Sequence, residues 1–177
     1  MWPDTAALER LDQVAKQLHA LCGGRRTRRE TIHMTLAFIG EVPLARVEIL
    51  RQAAGRVAGA AFTLRLDRLD CWRHNRVAWA GCSEPPLHLV TLVGQLSERL
   101  ADAGLPLDIH DFAAHVTLLR NVSCVPMPDF EPINWPVADF VLVESQPSAA
   151  GPHYAIIGRW PLIGAAADVP DGAWISS

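Results

Sequence analysis

Two short stretches of the chain carry one pattern. His33-Met34-Thr35-Leu36 and His115-Val116-Thr117-Leu118 stand 82 residues apart, nearly half of the 177-residue chain. Each lies in an apolar run that reads as a β-strand, 31–40 for the first and the stretch up to Leu119 for the second. On a strand, residues two apart project from one face. His33 and Thr35 therefore share a face, while Ile32, Met34 and Leu36 share the other and suit a core. Histidine titrates near pH 6.5, so both of its protonation states are accessible at neutral pH. Two histidines flanking one phosphorus can divide the labour: one takes a proton from attacking water, the other gives a proton to the leaving oxygen. A threonine hydroxyl beside each can donate to a non-bridging phosphoryl oxygen as charge develops. A lone histidine on a strand is usually structural; the repeated pair is what points to chemistry. A cyclic phosphodiester suits it, because in-line attack opens a strained ring.

A metal reading needs further ligands close by. Neither motif has a neighbouring His, Asp or Glu at ligand spacing, and His110-Asp111 is the nearest group to the second. The chemistry is therefore expected to need no metal and no other cofactor. His19, His74, His88 and His153 have no partner pattern, and His19 and His88 fall on predicted helices as surface groups. Arg25-Arg26-Thr27-Arg28-Arg29 places four arginines in five residues directly before the first motif. Such a run is either a solvated loop or a phosphate-attracting rim, and both readings stand. Phe38, Trp72 and Tyr154 can stack a base if they border a groove, or pack in the core.

Composition bounds the rest. Half of the residues are hydrophobic and a fifth charged, the formal charge is -3, and the length suits one domain or two small lobes sharing a core. That charge argues against a non-specific nucleic-acid coat protein. Cys22, Cys71, Cys82 and Cys124 show no C-x-x-C spacing and read as reduced thiols. The start, Met1-Trp2-Pro3-Asp4, has no secretory pattern, and no apolar run reaches the ~20 residues of a membrane span, so a cytoplasmic protein is expected.

Helices are predicted after Asp4 up to Gly23-Gly24, over 44–57, and over 87–103 after Pro85-Pro86. Strands are predicted over 62–66, 77–82, 137–145 and 154–160. The proline-rich stretch 122–136 reads as a loop. The order suggests one unit used twice. It gives an α+β class: a two-lobed, pseudo-symmetric pair of antiparallel sheets, helices on the outer faces, and a central groove carrying both motifs. Residues 1–163 would form that single domain and 164–177 a tail without a clear element.

The paired motifs resemble the two signatures of the two-histidine phosphoesterase superfamily, above all its bacterial RNA 2′,3′-cyclic phosphodiesterases, also called 2′-5′ RNA ligases. Residues 33–42, Val77-Ala78-Trp79-Ala80-Gly81, residues 112–120 and Trp160-Pro161-Leu162 fall in that family's order. The resemblance implies His33 as proton donor and His115 as acceptor, with Thr35 and Thr117 binding phosphate and Arg120 also touching it. It implies a metal-independent opening of RNA 2′,3′-cyclic phosphate ends to 2′-phosphates; a monomer with no membrane partner is expected. A phosphodiesterase for a small cyclic nucleotide or a nucleotide-sugar cyclic phosphate, and a non-catalytic RNA-end-binding module, remain alternatives. There are two departures. Ala114 stands where many members carry proline. Met1 falls at the end of the strand with which the family usually opens, so either the start is truncated or the strand is dispensed with, and a missing inner strand would leave an open ladder.

Overall fold

Asp4 starts the first helix. Its carboxylate accepts a hydrogen bond from the Ala7 N–H at 2.8 Å, satisfying a donor that the first turn leaves free. Helix α1 (Thr5–Cys22) stops at Gly23, whose φ of 63° favours glycine. The computed structural model describes residues 1–105, 112–146 and 153–164. After α1 come β1 (Arg25–Arg26), 3-10 turns at Arg29–Thr31 and Leu44–Arg46, and α2 (Val47–Gly55). Next are β2 (Phe62–Leu66), β3 (Arg68–Trp72), β4 (Val77–Gly81) and α3 (Leu87–Asp102). The described elements end with β5 (His115–Arg120), β6 (Ile133–Val137), β7 (Asp139–Gln146) and β8 (His153–Pro161).

Among the described residues the strands form three antiparallel sheets: four strands in the order β1-β5-β4-β3, and the pairs β2-β6 and β7-β8. With three helices this is the expected α+β class. Helix α1 lies against β5 and β6, and α2 packs on α3. The core gathers Leu11 and Leu18 of α1, Leu64 and Leu66 of β2, Leu118 of β5 and Trp135 of β6, all fully buried. Among the described residues no helix is long and apolar enough to cross a membrane.

Four expectations are corrected. The first motif is extended but forms no ladder; Met34 makes an isolated antiparallel bridge to Val116. Its side chains still alternate, with Ile32, Met34 and Leu36 buried. Met1 closes one further pairing, its nitrogen donating to the Met34 carbonyl and its carbonyl accepting from the Met34 N–H. The stretch expected as a loop ends in β6, where Ile133, Trp135 and Val137 are buried in strict alternation. Pro136 sits opposite Thr63 in a two-stranded sheet, and β6 pairs on one side only, so a residue lacking an N–H is tolerated there. β3 was not expected as a strand, because its Arg68 and Asp70 are polar; it forms through its pairing with β4. Finally, Cys71 and Cys124 are joined as a disulfide rather than reduced, their Cα atoms 5.8 Å apart, while Cys22 and Cys82 are free thiols. His110-Asp111 and the tail 165–177 lie outside the described residues; Gly164 is tied through its carbonyl to the Ala61 N–H.

Candidate active site

The Met34–Val116 bridge joins the centres of the two motifs. Met34 lies between His33 and Thr35, and Val116 between His115 and Thr117. Antiparallel pairing at those two residues sets His33 across from Thr117 and Thr35 across from His115. Met34 and Val116 have no exposed surface, so they anchor the bridge in the core. The four polar side chains turn the other way. All four line one cavity of about 420 Å³, together with Arg25, Arg26, Thr27, Arg28, Thr31, Phe38, Arg120 and Tyr154.

Arg120 reaches that cavity through an irregularity. Simple alternation along β5 would put it on the buried face with Val116 and Leu118. In the pairing of β4 with β5, however, Ala78 faces Leu119 and Trp79 faces Thr117, which leaves Leu118 as an extra residue. This β-bulge shifts the alternation by one. Leu118 and Leu119 are both buried, and Arg120 emerges on the side of His115 and Thr117.

Backbone carbonyls orient both imidazoles. His33 Nδ1 lies 2.7 Å from the Thr31 carbonyl and His115 Nδ1 lies 2.8 Å from the Ala113 carbonyl. A carbonyl only accepts, so each Nδ1 carries the hydrogen and each neutral ring keeps its lone pair on Nε2. His33 Nε2 is 3.1 Å from the Thr35 hydroxyl. Burial pushes the pKa of His33 below its ordinary value; the Thr31 carbonyl opposes this, and the Met1 amino group, His115 and Arg120 add to it. Burial likewise lowers His115, opposed by the Ala113 carbonyl and assisted by Arg120. Aromatic rings brace both histidines. Trp2 stacks on His33 with centroids 5.0 Å apart, and Tyr154 meets it edge-on at 5.2 Å. Trp72 meets His115 edge-on at 4.6 Å.

The structure thus brings together every residue singled out by the motifs, namely His33, Thr35, His115, Thr117 and Arg120. Of the arginine run, Arg25, Arg26 and Arg28 line the cavity, which favours the rim over the solvated loop. Of the three candidate stacking rings, Phe38 and Tyr154 border the cavity, Phe38 with 85% of its surface exposed, and Trp72 packs on a histidine. Trp2 was not foreseen, since nothing local in Met1-Trp2-Pro3-Asp4 tells that its ring meets residue 33. Among the described residues no group of three or more His, Cys, Asp or Glu side chains is placed to hold a metal.

Comparison with known proteins identifies the family. The family model described as LigT like Phosphoesterase matches residues 2–79. The RNA 2′,3′-cyclic phosphodiesterase of Escherichia coli K12 is 35% identical over 144 residues, which are 78% of this chain and 80% of that protein. The protein of the same name from Geobacillus stearothermophilus is 30% identical over 157 residues, 81% of this chain but 48% of its own longer length. The crystal structure of E. coli LigT complexed with 3′-AMP superposes with a TM-score of 0.78 at 30% identity, covering 90% of this chain and 94% of that one. Identity at this level, across most of both chains and with a shared fold, settles the membership: the chain belongs to the LigT-like phosphoesterase family.

Proposed function

We propose that this protein hydrolyses RNA 2′,3′-cyclic phosphate ends to 2′-phosphates by two-histidine acid–base catalysis without a metal ion. The observation that carries the reading is the Met34–Val116 bridge, which sets both histidines and both threonines on one cavity. The names of the E. coli and Geobacillus relatives support the substrate class. His115, its Nδ1–H held by Ala113, offers the Nε2 lone pair to a water. That water loses its proton to His115 as its oxygen bonds to phosphorus. The bond from phosphorus to the ribose 3′ oxygen breaks, and protonated His33 gives its Nε2 hydrogen to that oxygen. The hydroxyls of Thr35 and Thr117 donate to the non-bridging oxygens, and Arg120 offsets their charge. In the ligand-free site the Thr35 hydroxyl occupies His33 Nε2, so substrate must turn it toward phosphate. We read the catalytic domain as residues 1–163, since the described elements end at Pro161, and the enzyme as a cytoplasmic monomer.

Phosphorus NMR of the product from a cyclic-phosphate-terminated RNA tests this, run in excess chelator. A 2′-phosphate formed at the uninhibited rate is expected. A 3′-phosphate would exchange the roles of His33 and His115, loss of rate restored by one divalent ion would replace the metal-free mechanism, and absence of turnover would overturn the function.

A further inference from the structure

The arginines around the cavity are not equivalent. Arg26 lies 3.3 Å from the Asp12 carboxylate and Arg28 lies 3.6 Å from that of Glu30. Among the described residues, the guanidinium groups of Arg25 and Arg120 have no hydrogen-bond or ion-pair partner. Yet these two are direct cross-strand partners in the β1–β5 ladder, and both line the cavity. Directly opposite side chains leave a sheet together, and like charges in that position repel. Two uncompensated guanidiniums side by side at a concave surface are balanced by an anion, and their forked donors match phosphate oxygens.

The two arginines also stand on different strands. β5 carries His115, Thr117 and Arg120, whereas Arg25 stands on β1, which pairs with the same edge of β5 as Met34 does but at Arg120, four residues along from Val116. Arg120 depresses the pKa of both histidines. Arg120 shares its strand with His115 and Thr117 and so belongs with the reacting phosphate, while Arg25, across the ladder from it on the same cavity, faces a group beside that phosphate.

We propose that Arg25, backed by Arg26 and Arg28, forms a second anion subsite that takes the phosphodiester one nucleotide upstream of the cyclic end. The inference rests on the two-histidine reading of the same cavity and extends it to the rest of the substrate. The preferred ligand is then an oligonucleotide with at least one internal phosphodiester rather than a mononucleotide.

The test is calorimetric binding to the full chain of a dinucleotide ending in a 2′-phosphate, beside the mononucleoside 2′-phosphate, at low and moderate salt. The wild type is expected to prefer the dinucleotide. Arg25→Gln is expected to reduce that preference about ten-fold, the scale of one charge-assisted contact. It should also flatten the dependence of log affinity on log salt by about 0.7 for the dinucleotide. Arg25→Lys, which keeps the charge and loses the fork, should fall between the two, and it serves as the test if Arg25→Gln fails to fold. Equal losses on both ligands, or an unchanged preference, would overturn the subsite. Turnover of a cyclic-phosphate substrate is scored separately: a dinucleotide preference that depends on Arg25 in a chain without turnover would leave the subsite standing and remove the catalytic reading.

Discussion

At the scale of single residues, the proposed mechanism asks different work of two imidazoles with similar surroundings. Replacing either with alanine, His33→Ala or His115→Ala, is expected to lower kcat by about 10²-fold or more, the loss of one acid or base. Steady-state hydrolysis of a cyclic-phosphate RNA checks this, and full activity in either variant would remove the assignment. The pH profile follows from the sign of the shifts. Both pKa values lie below the ordinary value, chiefly through burial. The base must lose its proton and the acid must keep its own, so kcat/KM rises through one macroscopic pKa and falls through the other. With both depressed, its maximum is expected below about pH 6.5. Substrate brings negative charge to the same imidazoles and favours their protonated forms. The falling limb of kcat should therefore lie at higher pH than that of kcat/KM. The histidines and threonines were legible in the sequence because a repeat needs no structure to be seen. Trp2 was not, because its stack on His33 joins residues 31 apart that no local pattern connects.

At the scale of elements, the site depends on how β4 and β5 meet. Gly81 stands opposite His115, and a Cβ there would lie 2.5 Å from the Ala114 carbonyl and 2.7 Å from the Trp79 ring. Gly81→Ala must therefore push apart the two strands that hold the histidine. It is expected to lower both Tm and turnover, measured by thermal unfolding and by the hydrolysis assay. Gly94 is the control. It sits inside α3, and a Cβ there meets nothing within 4 Å. Gly94→Ala should raise stability by roughly 0.5–1 kcal/mol through helix propensity and leave the rate alone. Helices α1 and α3 were legible from caps and apolar spacing. β6 was obscured because proline density outweighed the alternation of Ile133, Trp135 and Val137. β3 was obscured because Arg68 and Asp70 carry no burial signal, its strand character coming from β4. The bulge at Leu118 was hidden for a related reason: it exists only in the pairing of two strands, and without it Arg120 would be assigned to the wrong face.

At the scale of the whole molecule, the Cys71–Cys124 link closes a loop of the chain between residues 53 apart. In the chain-entropy account, closing a loop of that length stabilises by about 4 kcal/mol. Reductant, or Cys124→Ser, is then expected to lower Tm by roughly 10 °C. Thermal scans of the wild type with and without dithiothreitol measure it; superimposable scans would show that the link contributes nothing. Scattered cysteines without C-x-x-C spacing read as thiols, and only the meeting of β3 with the loop after β5 brings two of them within bonding range.

The Met34–Val116 pairing has one more consequence, for the direction in which a substrate can lie. Antiparallel pairing relates its strands by a local two-fold axis, which here exchanges His33 with His115 and Thr35 with Thr117. The four groups alone therefore form a cradle without polarity, able to receive a cyclic phosphate either way round. What lies three residues past each threonine breaks the tie. After Thr117 it is Arg120, and after Thr35 it is Phe38, both on the same cavity. One flank presents a cation and the other an aromatic face. A ribonucleotide end is itself lopsided, with a charged backbone leading away on one side and a flat base on the other. On the proposed function Arg120 and Phe38 would match that lopsidedness, and the pair would act as a compass for which ribose oxygen is handed to which histidine.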